Sequence, residues 1–98
     1  NSVNNLGVST PSEVSLFTPY PNPFNSTTTI TYALPHPGEV SLQLYNPFGQ
    51  RISTLFEGNR QAGIFKANLV GKDLTSGLYF VRLEGSGQVF TQKVMLVR

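Results

Sequence analysis

The chain has 98 residues and a mass of 10.7 kDa, the size of one domain with one hydrophobic core. Only 12% of the residues are charged and the net charge is +2, so no basic patch suited to nucleic acid is visible. No apolar run approaches the ~20 residues of a membrane-spanning helix, and residues 1–5 are too polar for a signal peptide. The absence of cysteine excludes disulfide bonds, thiolate metal sites and a cysteine nucleophile.

The residues before Glu13 differ in composition from those that follow. Residues 1–12 are rich in Asn, Ser and Thr and have no periodic apolar face, so we expect a flexible linker from an upstream domain. From residue 13 to residue 98, short runs of β-branched and aromatic residues alternate with clusters of Gly, Pro and Asn. The clusters recur about every 8–12 residues. This spacing is typical of an all-β sandwich or barrel.

Six runs predict strands, and a seventh is expected near residues 14–17; the six are residues 28–34, 40–45, 51–56, 64–69, 78–84 and 89–97. In the first, Ile30, Tyr32 and Leu34 share one face. The run 51–56 alternates poorly, because Ile52 and Leu55 fall on opposite faces unless a β-bulge intervenes. No window shows helical periodicity.

Tyr79 follows a corner that contains Gly77 and begins a predicted strand. This placement resembles the tyrosine corner of Greek-key sandwiches, in which the hydroxyl bonds to upstream backbone. The alternative is that Tyr79 is simply a large strand residue. The corner also predicts a positive φ at Gly77. Together, these patterns predict an all-β, Ig-like Greek-key β-sandwich of six or seven antiparallel strands.

The residues offer no catalytic or metal site. His36 is the only histidine and lies between Pro35 and Pro37, so we expect it in an exposed turn and not in a rigid pocket. The acids are scattered, no calcium-type loop appears and no glycine loop precedes a helix. We therefore expect no enzymatic activity, no cofactor and no metal.

Four aromatic residues near predicted turns raise the alternative of carbohydrate binding: Phe17, Tyr20, Phe24 and Phe48. An exposed strip of these rings could form a sugar platform. The chain has no Trp, however, and most of its aromatic residues occupy alternating core positions. A role in the core or in turn packing is favoured.

Four blocks of sequence resemble, in order and spacing, the C-terminal sorting domains carried by cargo of the type IX (Por) secretion system of Bacteroidetes and relatives. The blocks are residues 20–35 (Tyr-Pro-Asn-Pro-Phe-Asn at their start), 44–50, 74–83 and 93–98. The candidate sorting residues that the resemblance indicates are Pro21, Asn22, Pro23, Phe24, Gly49, Gly77, Tyr79, Lys93 and Arg98. Many relatives have an aromatic residue followed by Asp where this chain has Leu69 and Val70, so no role for that acid carries over.

The resemblance implies a non-catalytic sorting signal over residues 13–98 that directs an attached cargo across the outer membrane. Its implied partners are the outer-membrane type IX translocon, a cell-surface sortase and the upstream cargo domain, with no nucleic acid and no membrane span. The cargo would pass through the periplasm, be cleaved in the linker 1–12, and reach the cell surface or the medium. Two alternatives stay open: an Ig-like accessory module of a surface hydrolase, which carbohydrate binding by the isolated domain would favour, and a structural module like that of the flagellar hook-capping protein.

Overall fold

The computed structural model describes residues 13–98 and shows that part of the chain as seven strands without a helix. The strands are β1 (Ser15–Leu16), β2 (Thr27–Leu34), β3 (Gly38–Tyr45), β4 (Arg51–Arg60), β5 (Gly63–Val70), β6 (Gly77–Gly85) and β7 (Gln88–Leu96). All six predicted runs and the expected seventh strand are present. The predicted linker, residues 1–12, lies outside the described residues.

The strands form two antiparallel sheets with the orders β1-β2-β5 and β4-β3-β6-β7. The chain changes sheet between β2 and β3, between β4 and β5, and between β5 and β6, which gives the Greek-key connectivity. Relative to a constant-type Ig domain, the fourth strand pairs with the third and not with the fifth. The predicted fold class is therefore confirmed.

The core lies between the sheets and is built from alternate residues of the central strands. Ile30 and Tyr32 of β2 are fully buried and face the buried side chains of β3, β6 and β7. The other buried members of the core are Val14, Leu16, Phe24, Leu34, Val40, Leu42, Leu44, Leu69, Tyr79, Val81, Leu83, Val94 and Leu96. Each such side chain stabilises the fold by roughly 1.5–3 kcal/mol relative to exposure. No disulfide is needed for a core of this size.

Strand β4 is longer than its sequence pattern predicts. Residues 57–63 were expected to form a connection, but Glu57–Arg60 continue the ladder with Ser41–Gly38 of β3, so that expectation is wrong. These residues lack apolar alternation because the strand lies at the sheet edge. The bulge that would account for the poor alternation is present twice: Ile52 and Leu55 are the residues skipped at the two register shifts with β3.

Candidate functional site

The segment of residues 20–25 is bound to β2 of the three-stranded sheet. The backbone N–H groups of Tyr20 and Thr29 each donate to the other residue's carbonyl oxygen at 3.0 Å. The Thr28 hydroxyl, which is buried, donates to the Pro21 carbonyl oxygen at 2.7 Å. Both prolines of the segment follow cis peptide bonds. The segment is thus held by two successive residues of β2.

The same segment is also bound to β7 at the edge of the four-stranded sheet. The Asn22 side chain donates to the Lys93 carbonyl oxygen and accepts from the Met95 N–H, each at 3.0 Å. Phe24 continues the pairing with its backbone, since its N–H donates to Met95 O at 2.8 Å and its carbonyl accepts from Val97 N–H at 2.9 Å. The segment therefore covers the outer edge of β7 and joins the two sheets.

Phe24 anchors this segment in the core. Its ring is 2% exposed, and Gly71 lies directly beside it. A Cβ on Gly71 would lie 3.1 Å from both the Phe24 ring and a Leu96 methyl. The Gly71 N–H in turn donates to Ser26 O at 2.8 Å. Gly71 therefore lets the ring of Phe24 and the side chain of Leu96 pack closely against the backbone.

Tyr79 forms the predicted tyrosine corner. Its hydroxyl donates to the Thr75 carbonyl oxygen at 2.7 Å, while the side chain is 6% exposed. Gly77, two residues earlier, has a φ of 151°, so the expectation of a positive φ is confirmed. Gly77 meets no atom within 4 Å of an added Cβ, and its requirement for glycine is therefore one of backbone conformation.

The turn between β3 and β4 holds Phe48 out in solvent. The Asn46 carboxamide oxygen accepts from the N–H groups of Phe48 at 2.9 Å and Gln50 at 3.0 Å, and Gly49 adopts a φ of 85°. This hydrogen bonding fixes the turn, yet the Phe48 side chain is 88% exposed. A cavity of about 370 Å³ separates the turn from residues 75–79 and is lined by Ile52 and the backbone of Gly77 among others.

Lys93 and Arg98 keep their side chains exposed although their backbones are bound. The Arg98 N–H donates to the Ser76 hydroxyl at 3.1 Å, which brings residue 98 to the start of β6. Arg98 also lines a cavity of about 400 Å³ together with Lys72. We call the end of the sandwich that contains residues 21–24, 46–50, 75–77 and 93–98 the signature end.

Charged side chains lie at both ends of the sandwich. Three of the carboxylates, Glu39, Glu57 and Glu84, line one cavity of about 470 Å³ at the end opposite the signature end. Glu84 is paired there with Arg82 at 3.0 Å. The signature end carries Lys72 and Arg98, with Asp73 next to Lys72 in the chain, while the opposite end also carries Arg60 beside Gly38. The feature that sets the opposite end apart is therefore its group of three carboxylates.

Within residues 13–98, no group of three or more His, Asp or Glu side chains could hold a metal ion. His36 is exposed in the turn before β3, as expected. No helix in this part of the chain is long and apolar enough to cross a membrane.

Of the four aromatic residues that could form a carbohydrate-binding strip, one is buried and three are exposed. Phe24 is part of the core, whereas Phe17, Tyr20 and Phe48 are 47%, 80% and 88% exposed. Tyr20 lies beside β2, while Phe48 lies in the turn between β3 and β4. Of the two favoured roles, core or turn packing, Phe24 has the first, and the exposure of Phe17, Tyr20 and Phe48 places these three outside the core.

Sequence reasoning missed two contributors to this architecture. One is the Asn22 carboxamide, which takes the place of a strand backbone beside β7. The other is Arg60, which stacks on Phe56 and Phe65 and lies outside the matched blocks. An Asn between two prolines is a signal for a fixed turn, but its long-range partners cannot be read from spacing.

A family model described as the secretion system C-terminal sorting domain matches residues 18–97. The chain belongs to this family of sorting domains. No match was found among curated proteins, and none among solved structures. The family match spans the segments that the structure assembles at the signature end.

As a member of this family, the domain is a C-terminal sorting signal for type IX secretion. The type IX machinery and an attached upstream cargo are thereby involved, and export is directed toward the cell surface or the extracellular space. Sorting domains of this family are in general non-catalytic. The hook-cap and accessory-module alternatives are not favoured.

Proposed function

We propose that residues 13–98 form the sorting domain and that its signature end is the surface read by the outer-membrane type IX translocon. In this proposal the cargo crosses the periplasm before recognition, and a cell-surface sortase then cleaves within residues 1–12. The domain acts by binding alone and needs no cofactor. The observation that supports this proposal is the convergence of separated sequence blocks on one end of the sandwich, through Asn22 to Lys93 and through Arg98 to Ser76.

The candidate sorting residues divide into two groups by their surroundings. The first group stabilises the fold: Asn22 and Phe24 cover the edge of β7, and Tyr79 forms the tyrosine corner. Gly49 and Gly77 belong with them because their φ values suit glycine. In this proposal these residues shape the surface without touching the translocon.

The second group presents exposed atoms to solvent and would make the contact. It comprises Pro21, Pro23, Lys93 and Arg98 from the sequence blocks, to which the structure adds Phe48. The cations and the phenyl ring favour a partner that offers acidic groups around an apolar pocket. The acidic groups of such a partner would pair with Lys93 and Arg98, and its apolar pocket would receive the Phe48 ring, whose turn is already fixed.

A reporter fusion tests this proposal. The 98-residue chain is fused behind a fluorescent reporter with its own inner-membrane signal and produced in a type IX-competent host and in a translocon-deficient strain. We expect export only in the competent host. The double variant Lys93→Ala with Arg98→Ala should fold normally, because exposed charges contribute only about 0–1 kcal/mol, but should leave reporter in the periplasm.

The matched control removes two charges from the opposite end, as Glu39→Gln with Glu57→Gln. We expect this variant to be exported like the parent chain. Equal export of both double variants would show that Lys93 and Arg98 are not read. Export in the translocon-deficient strain would remove the type IX route itself.

A further inference from the structure

The edges of the two sheets are protected to different degrees. The outer edge of β7 is covered by Asn22 and Phe24, β4 is interrupted by two register shifts, and β1 is only two residues long. These are common devices against unwanted strand pairing. Strand β5 is neither covered, interrupted nor short among the described residues, and Lys66 is its one charged side chain. It pairs with β2 over eight consecutive residues without a register shift, and it contains no proline.

The free hydrogen-bonding groups of β5 can be assigned from its register. Gly71 N–H donates to Ser26 O, while Thr29 is bonded to Tyr20 on the other side of β2. Because the direction of backbone groups alternates along a strand, residues 63, 65, 67 and 69 face β2. The N–H and carbonyl groups of Ile64, Lys66, Asn68 and Val70 therefore point to the open edge. No described strand pairs with that edge.

The side chains of β5 have a pattern that is symmetric about Ala67. On the exposed face, Ile64 and Val70 are apolar and lie three residues to either side of Ala67, and they are 61% and 57% exposed. Lys66 and Asn68 are polar and lie one residue to either side. The inward face repeats this symmetry with Phe65 and Leu69, which belong to the core or pack against it.

We propose that β5 pairs antiparallel with β5 of a second copy of this chain, centred on Ala67, to form a continuous six-stranded sheet. This register places Ile64 opposite Val70 and Lys66 opposite Asn68, in both directions. All the free edge groups then form paired hydrogen bonds. Shifting the centre to residue 66 would place Lys66 opposite its own copy, and like charges directly opposite each other are destabilising.

A second copy fits this edge because its pattern is complementary to itself. An isologous interface requires the same surface on both partners, and the symmetry about Ala67 supplies it. The contact is confined to one strand from each copy, so the dimer is a weak one of small buried area. This inference concerns the β5 edge of the three-stranded sheet, which reaches the signature end at Val70, and it does not depend on the sorting function.

Charge variants at residue 68 test the dimer and its register together. Asn68→Glu places a carboxylate opposite Lys66 of the other copy, whereas Asn68→Lys places a cation there. Glutamate at residue 68 can still accept from the Thr29 hydroxyl whereas lysine cannot, so the urea midpoint of each variant is measured beside its association. Sedimentation equilibrium of the 98-residue chain up to about 1 mM should give tighter association for Asn68→Glu than for Asn68→Lys, by about fivefold or more.

Cysteine crosslinking provides a second readout that does not depend on charge. In the proposed register the two copies of Ala67 form a non-hydrogen-bonded pair with Cα atoms roughly 4.5 Å apart, which is within disulfide range. The chain has no other cysteine. Ala67→Cys should form a disulfide dimer on mild oxidation, and Thr91→Cys, exposed on β7, should do so far more slowly.

Three results would overturn the proposal. The first is a parent chain that stays monomeric throughout the concentration range. The second is equal association of Asn68→Glu and Asn68→Lys, which would exclude this register. The third is equal crosslinking of the cysteines at residues 67 and 91, which would show random collision. Circular dichroism of each variant establishes that the fold is retained.

Discussion

Asn22 offers Met95 the hydrogen bond that a neighbouring strand would otherwise supply: its carboxamide oxygen lies 3.0 Å from the Met95 N. The carboxamide nitrogen makes the complementary contact with Lys93 O. One side chain thus satisfies both a donor and an acceptor at the edge of β7. A side chain used in this way stops the sheet from growing without adding another strand.

Asn22→Ala should destabilise the domain by about 1–2 kcal/mol, because two hydrogen bonds of modest net value are lost together. The measurement is the urea midpoint at an unchanged denaturant slope. Asn25→Ala is the matched control, since Asn25 is exposed and makes no side-chain hydrogen bond within residues 13–98. If both variants unfold at the same midpoint, the Asn22 carboxamide does not stabilise the edge.

Tyr79→Phe should destabilise the domain by about 1–2 kcal/mol, because the Thr75 carbonyl loses its donor in a poorly solvated corner. The control is Tyr45→Phe. The Tyr45 hydroxyl donates to the Gln43 side chain at 2.8 Å, and that flexible group can turn to water when the hydroxyl is removed. We expect a clearly smaller change for Tyr45→Phe in chemical denaturation. A Tyr79→Phe midpoint equal to that of the parent chain would mean that the corner bond has no net value.

Arg60→Ala should destabilise the domain by about 1–2 kcal/mol. The guanidinium carbon lies 3.9 Å from the Phe56 ring centroid and 4.8 Å from that of Phe65. Its Nε donates to the Tyr32 hydroxyl at 3.3 Å, so cation–π attraction and a hydrogen bond are lost together. Arg51→Ala removes an exposed cation from the same strand and should change the stability by less than about 0.5 kcal/mol.

Arg60→Lys separates the contribution of charge from that of shape. Lysine keeps the cation but cannot stack a planar group on the two rings. We expect Arg60→Lys to recover less than half of the stability lost in Arg60→Ala. The measurement is the thermal and urea midpoint of the three variants. Equal midpoints for Arg60→Ala and Arg51→Ala would contradict a stabilising role for the Arg60 contacts.

The central strands could be predicted from sequence because their alternation is strict. Ile30, Tyr32 and Leu34 face the core as expected, as do Val81 and Leu83. The end of β4 could not be predicted, because an edge strand has one partner strand and its solvent-facing residues need no apolar pattern. Glu57 and Asn59 therefore resembled a connection. The break in alternation at Ile52 and Leu55 pointed to a bulge as one explanation, and the structure has a register shift at each residue.

The candidate site was predictable only in part. The sequence identified Asn22 and Lys93 through the family resemblance, and it identified Tyr79 through the corner pattern as well. The sequence could not show which of these residues contact each other, because the contact between Asn22 and Lys93 spans 71 residues. Such a contact depends on which strands become neighbours, and local periodicity does not contain that information. Phe48 was assigned to packing for a similar reason: its sequence context marks a turn without showing which way the ring points.

Phe48→Ser should lower export while leaving stability nearly unchanged. The ring is 88% exposed and buries little surface, so we expect less than about 0.5 kcal/mol of change in the free energy of unfolding. The turn itself should persist, because Asn46 and not Phe48 supplies its side-chain hydrogen bonds. If the signature end is read as proposed, the reporter fused to this variant accumulates in the periplasm.

The matched control is Val89→Ser, which also removes an exposed apolar side chain but lies near the opposite end of the sandwich. Both variants are compared with the parent chain for reporter in the medium, on the cell surface and in the periplasm, and for urea midpoint. The expected result is a loss of export for Phe48→Ser alone, with all three midpoints alike. Normal export of Phe48→Ser would exclude the ring from the recognised surface. An equal loss for Val89→Ser would show that the translocon responds to general surface hydrophobicity and not to this end of the sandwich.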